Sequence, residues 1–251
     1  MSRQARLLVF LAGAGGMAAA FLLAFVAMPA FGSHFHPYRN LAVPAAVARR
    51  TANAVSSVNF DLRGIDTLGE ETILLASVLG AAVILRPSHD EPRRSPSGGR
   101  VTSSTRLLGY VFLPVTLVIA LDVIAHGHVT PGGGFQGGVI LGTGIHLLYV
   151  SASYQVLEKV RPLDAFEWFE SLGTGAFAGL GVAALVTTGA FLANIVGYGS
   201  FGELLSAGTV PILNGAVGVA VASGTVILLA SFLDRDMHTP DTPEPANEDG
   251  Q

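Results

Sequence analysis

His126-Gly127-His128-Val129-Thr130-Pro131-Gly132-Gly133-Gly134-Phe135-Gln136-Gly137-Gly138 is the stretch on which the fold turns. An apolar run long enough to cross a bilayer lies on each side of it. The stretch therefore reads as a tight corner at a bilayer edge, where glycine and proline serve close backbone packing. Crossing about 30 Å of hydrocarbon takes roughly 20 apolar residues in a helix. Outward from the corner, the runs Arg106 to Ile124 and Phe135 to Ser153 come first. Leu172 to Ala193 and Thr209 to Leu233 follow, and Leu68 to Leu85 and Leu7 to Met28 precede. The expected fold is an all-α integral membrane bundle of about six transmembrane helices.

Composition supports that class independently. Half of the 251 residues are hydrophobic, 13% are charged and the mean hydropathy is +0.54, too little polar surface for a soluble globule of this size. A net charge of -4 and a single lysine, Lys159, give no basic patch, so nucleic acid is not an expected partner. Zero cysteines exclude disulfides, thiolate metal sites and thiol catalysis.

Loop charge gives the expected orientation. With the N terminus inside, the cytoplasmic segments hold Arg3, Arg6, Arg86, Arg93, Arg94, Arg100, Arg106, Lys159, Arg161 and Arg235, ten of fourteen basic residues. Arg39, Arg49, Arg50 and Arg63 stay outside, so both termini are expected in the cytoplasm. Arg3 and Arg6 resemble the basic head of a signal peptide. The 22-residue run Leu7 to Met28 is longer than the usual core of about 7 to 15, and no clear A-x-A site follows, so it is expected to remain as a span.

Proline, serine, glycine and charge replace the apolar pattern over Pro87 to Gly99. This divides the chain into a two-helix unit (1–86), a cytoplasmic linker (87–103), a four-helix unit (104–233) and a tail (234–251) expected to be disordered. Val43, Val47, Val55 and Val58 fall near one helical face, which fits an amphipathic helix on the membrane surface or one packed on the bundle. No internal repeat marks an inverted-repeat transporter. Two G-x-x-x-G pairs, Gly138 with Gly142 and Gly175 with Gly179, are expected to seat neighbouring helices.

Gly132, Gly134 and Gly137 also satisfy G-x-G-x-x-G, with Glu158 at about the distance of a ribose-binding acid. A dinucleotide fold needs a short preceding strand; here the preceding segment is a long apolar run broken by Pro114, so nucleotide binding is not expected. No G-x-x-x-x-G-K is present either.

Ionisable residues within apolar spans cost about 2.5 to 3.5 kcal/mol on insertion scales, which makes them the candidate functional residues. Glu70 and Glu71 open the second span, Asp122 closes the third with His126 and His128 just beyond, and His146 stands in the fourth. Carboxylates bind Na⁺ or H⁺, and imidazoles titrate near neutral pH. The plainer alternatives are capping of a helix dipole by Glu70 and Glu71, hydrogen bonding that fixes the corner for Asp122, His126 and His128, and a bond to a helix backbone for His146. Two histidines at i, i+2 without further ligands do not make a metal site.

Gly127 to Gly138, GHVTPGGGFQGG, together with the spans from Arg106 to Leu233, closely resembles the B-type (MnhB/MrpB) component of the multisubunit Mrp (Mnh) type sodium/proton antiporters. Val58 to Glu70 is similar to the D-x-R-G-x-D-T-L-G-E segment near the end of the large A-type component. The small E-type component of related membrane-bound hydrogenases carries a similar segment. The resemblance implies a fusion of the last helices of an A-type component with a B-type one, in a complex exchanging Na⁺ for H⁺ across the cell membrane. It implies an accessory subunit, not an enzyme, that works with other antiporter subunits in the lipid bilayer and needs no cofactor. In the family the acidic residue of the D-T-L-G-E segment is a candidate for the ion route. That maps onto Glu70, with Asp66 beside it. No family role is carried over to His146. The alternative is a structural component of a related redox-driven pump of hydrogenase or respiratory type.

Overall fold

The computed structural model describes residues 3–28, 32, 34, 36–86, 101–151 and 162–238. Among them the chain is helical and contains no strand. The helices are α1 (Arg3–Val26), α2 (Pro37–Ala48), α3 (Ala54–Ser57), α4 (Gly64–Leu85), α5 (Ser103–Ala125), α6 (Gly134–Ser151), α7 (Leu163–Thr188) and α8 (Val210–His238). Five of them, α1, α4, α5, α7 and α8, are long and apolar enough to cross a membrane; α6 is a shorter apolar helix over Gly134–Leu148. The protein is therefore a multi-pass membrane helical bundle.

Residues 1–41 and 42–251 form two compact units. In the first, α1 is apolar around its whole circumference beyond Arg6 and buries no residue, as expected of a helix solvated by lipid. In the second, α8 is the central helix. It packs on α4, α5, α6 and α7, while α5 and α6 form a hairpin around the glycine corner and α4 lies along both α7 and α8. The upper core joins Phe60, Phe177, Leu192, Val210, Leu213, Val217 and Val221. A second cluster joins Ile145, Leu148 and Val226. The predicted boundary between 1–86 and 104–233 thus has α4 on one side and α5 to α8 on the other within one compact unit. The linker at 87–100 and the tail beyond His238 lie outside the described residues.

Two helices reach back over acidic residues that the apolar-run reading left out. Charge interrupts an apolar run without ending a helix, because the backbone continues to satisfy its own hydrogen bonds. So α4 begins at Gly64 rather than Leu68, and α7 begins at Leu163 rather than Leu172, bringing Asp164, Glu167 and Glu170 into the helix. Glu70 and Glu71 consequently stand in the second turn of α4, too deep to cap it; Asp66 is the first-turn acid.

The single helix anticipated around Val43 to Val58 is in fact two. Arg50 takes φ +57, and Asn53 starts a new helix by accepting from the backbone N–H groups of Val55 and Ser56 at 3.1 and 3.3 Å. That helix continues into a π-helical turn, Val58–Leu62, before α4. The π turn carries Asp61, whose carboxylate meets Arg49 Nε at 2.9 Å without the aligned geometry of a hydrogen bond. Burial pushes the Asp61 carboxyl above its usual range, and the Arg49 charge partly offsets this.

Candidate functional site

The glycine corner is a tied structure. Asn53 donates to the carbonyls of Gly127 and Thr130 at 2.8 and 2.9 Å, and its own N–H donates to His128 O at 3.0 Å. From the opposite side Asn214 of α8, fully buried, accepts from Gly134 N–H at 2.9 Å and donates to Ser56 Oγ at 3.1 Å. These two amides pin the corner to α3 and α8, a task no apolar contact performs with the same orientation. Gly132 and Gly133 take φ +140 and +138, a backbone that favours glycine. Gly134 and Gly138 lie against α8, and Gly137 lies against α5 at Ala120 and Ile124, with no room for a methyl group.

The remaining corner residues have local roles. His126 bridges to Asp122 at 2.9 Å, and Thr130 Oγ1 donates to His126 O at 3.3 Å. Phe135 packs on the upper core, while Pro131 and Gln136 are exposed. His128 is completely buried, its imidazole facing the Glu203 and Leu204 carbonyls at looser than hydrogen-bond geometry, and desolvation holds its pKa below the ordinary value. His146 sits partly buried in α6 with Nδ1 2.9 Å from the carbonyl of Gly142, one turn back.

The candidate ionisable residues are not gathered in one place. Asp122 and His126 belong to the corner, and His146 to α6. Among the described residues no cluster of three or more His, Asp or Glu is placed to hold a metal ion. On α4 the acids divide by face. Asp66 and Glu70, four residues apart, point away from the bundle, and Asp66 pairs with Arg63 at 2.5 Å. Thr67, Glu71 and Val78 point inward. Thr67 Oγ1 donates to Asn59 O at 2.7 Å, locking α4 to the π turn. Glu71 is only 1% exposed, and its Oε1 has no hydrogen-bond partner.

The sequence reading missed Glu170. It lies on α7, 3% exposed, with Oε1 also lacking a hydrogen-bond partner. It faces Gly224 of α8, where a Cβ would stand 2.8 Å from that oxygen and 3.2 Å from Val78 of α4. The available signal was the spacing Glu170, Gly173, Phe177, Gly181, Ala184, which is one helical face and is the buried face of α7.

The two G-x-x-x-G pairs also part company. Gly138 and Gly142 pack on Val221 and Thr225 of α8, whereas Gly175 and Gly179 have nothing within 4 Å. Within this chain the close approach of α7 to α8 is made instead at Gly173, against Ala216 and Ala220.

The glycine corner and the helices around it coincide with a known domain. Residues 104–227 match the family described as "domain related to MnhB subunit of Na+/H+ antiporter". A protein of Rhizobium meliloti (strain 1021) named as the probable A/B component of a K(+)/H(+) antiporter is 27% identical, over 75% of this chain and 21% of its own length. The solved Mrp complex from Dietzia sp. DQ12-45-1b contains a chain of similar fold, TM-score 0.68 and 26% identity, over 98% of this chain and 27% of that one. Residues 104–227 are an MnhB-type domain, and the chain as a whole is similar to Mrp-type membrane subunits. The MnhB-type chain is also similar to one in the membrane-bound sulfane sulfur reductase, an archaeal respiratory membrane complex. There the TM-score is 0.71 and the identity 26%, over 94% of this chain and all of that one. An uncharacterized protein of Methanocaldococcus jannaschii is 28% identical over 72% of this chain and 76% of its own length.

Proposed function

We propose that this MnhB-type protein works in a multisubunit monovalent cation/proton antiporter of the cell membrane, with both termini cytoplasmic and no catalysis of its own. It seats itself against other antiporter subunits and exposes one carboxylate of the cation route to them. The observation that carries this reading is the outward pair on α4. Asp66 and Glu70 share a face that nothing in this chain covers among the described residues, and Arg63 compensates Asp66. Glu70 has no ion pair among the described residues, inside a helix long and apolar enough to span. An acid in that setting costs about 2.5 to 3.5 kcal/mol unless water or a neighbouring protein covers it. An interface between subunits supplies both the cover and a path for Na⁺. The relatives support the same reading, since one is named as a K(+)/H(+) antiporter component and another belongs to an Mrp complex. The alignment with the Rhizobium protein spans 75% of this chain, more than residues 104–227 alone, which supports residues 1–86 as the fused end of an A-type component.

Glu70→Gln should abolish Na⁺-dependent proton release from everted vesicles while the complex still copurifies with its large subunits. Undiminished exchange in that variant overturns the role. A second reading has a specific observation behind it, the full-length match to a chain of a respiratory complex. In that reading the same protein serves a redox-driven pump. Purification in mild detergent separates the two: Fe–S proteins copurify with a redox machine, and only antiporter-like subunits with an antiporter.

A further inference from the structure

The outward acids leave two buried ones unexplained. Glu71 and Glu170 face the same seam between α4, α7 and α8, one from each flanking helix. Both are more than nine-tenths buried, and each has a carboxylate oxygen without a hydrogen-bond partner. No Lys, Arg or His forms an ion pair with either among the described residues. Their levels in the seam differ. Glu170 and Val78 both lie against Gly224, and Val78 is seven residues past Glu71 on α4, roughly 10 Å along the axis at about 1.5 Å per residue. Helix spacing thus puts the two residues at successive levels of the seam.

Each acid also has an acidic neighbour on its own helix, Glu70 beside Glu71 and Glu167 one turn before Glu170. From α8 the seam receives no charge, since Val210 to Leu233 contains no Asp, Glu, Lys, Arg or His. Gly224 lets the Glu170 carboxylate come close against α8, where any side chain would displace it. The chemistry of this lining selects the cargo. A desolvated Na⁺ needs several oxygen ligands at once, and among the described residues no cluster of three or more acids or histidines is placed to supply them. A proton needs only one oxygen at each stop, and chains of buried acids are how membrane pumps relay it.

We propose that Glu71 and Glu170 are two successive stations of a proton path that follows the α4–α7–α8 seam through this protein. This path is separate from the cation route at the outward face of α4. A proton arriving at one carboxylate makes it a neutral acid; passing on to the other restores the first carboxylate, so one proton enters and one leaves per transfer. A water entering between the two levels carries the proton from one carboxylate to the other.

The inference rests on the antiporter reading only for its transport readout, so two measurements on the intact complex keep them apart. The first is Na⁺-driven proton movement in vesicles. Glu71→Gln and Glu170→Gln should each reduce it to the level of empty membranes, Glu170→Asp should retain part of it, and Gly224→Leu, whose side chain displaces the Glu170 carboxylate, should block it without replacing an acid. The second is pH-difference infrared spectroscopy of the purified complex. It should show a protonated-carboxyl band that Glu170→Gln removes, even if the complex proves to be redox-driven and shows no Na⁺ exchange. Full transport in Glu170→Gln, or an infrared difference spectrum that this variant leaves unchanged, overturns the proposal. Loss of exchange in Glu70→Gln with the Glu170 band intact supports two separate routes, and loss of that band in the same variant overturns their separation.

Discussion

Adding one methyl group at Gly138 and one at Gly179 tests the packing directly, because the two glycines look alike in sequence and differ only in what faces them. At Gly138 the new Cβ would stand 2.8 Å from Val221 Cβ and 2.9 Å from the carbonyl of Gly218, both on the rigid side of α8. Carbon atoms pack comfortably at about 3.5 to 4.0 Å, so α6 and α8 must part by roughly 1 Å over that turn. Overpacking of this kind costs about 1 to 3 kcal/mol. At Gly179 a Cβ meets nothing within 4 Å. The gain in helix propensity from glycine to alanine, about 0.8 to 1 kcal/mol in water, is common to both and cancels in the comparison. Gly138→Ala should therefore be less stable than Gly179→Ala by about 1 to 3 kcal/mol. Gly142→Ala should fall between them, since its Cβ would stand 3.0 Å from Thr225 Cβ and 3.3 Å from the carbonyl of Ala222, both farther off than the neighbours of Gly138. Helix loss followed by circular dichroism during SDS titration of the isolated chain in mixed micelles measures the order. Equal stability of the Gly138 and Gly179 variants, or the reverse order, would refute the assignment of α6 and not this face of α7 to the bundle interior. In the assembled complex Gly179→Ala should instead weaken copurification of partner subunits.

Two further outcomes probe the corner. Asn214→Ala removes the acceptor of Gly134 N–H and the donor to Ser56, leaving a buried N–H unpaired, and should destabilise the bundle by about 1 to 3 kcal/mol in the same titration. A variant as stable as the parent would show that the corner holds without this amide. His128 has a folded pKa below its ordinary 6.5, so the unfolded chain takes up a proton first as pH falls. Stability at the corner is therefore full above about 6.5 and declines as pH drops below it toward the lower folded value, and His128→Asn should flatten that decline. An unchanged pH profile in that variant would assign the acid sensitivity elsewhere.

How much of this was readable beforehand follows from what each feature depends on. The spans were legible because run length and lack of charge are properties of the chain alone, and the structure places a helix at each of the six predicted runs. The corner was legible because Pro131 followed by three glycines admits few backbones. Glu170 was not, because an apolar-run reading stops at Leu172 when it meets carboxylates, whereas the helix runs back to Leu163. Nor was the break at Arg49 to Asn53: the valine spacing fits one continuous helix, and only the capping of Val55 and Ser56 by Asn53, itself held by the corner's carbonyls, divides it. The outward face of Glu70 and the inward face of Glu71 differ by one residue, about 100° of helix rotation, and no count of hydropathy distinguishes them.

By itself the sequence determined a lipid-solvated helical bundle, its spans and its glycine corner, since burial of apolar length in a bilayer and the backbone freedom of glycine are local requirements. Only the tertiary structure decided which face of each helix looks inward. That rotation is fixed by contacts with α8, and it is what places Glu71 and Glu170 in one seam, turns Asp66 and Glu70 outward, and leaves Gly175 and Gly179 uncovered. A helix shows every side of itself to the sequence reader, and its neighbours alone choose which side is buried.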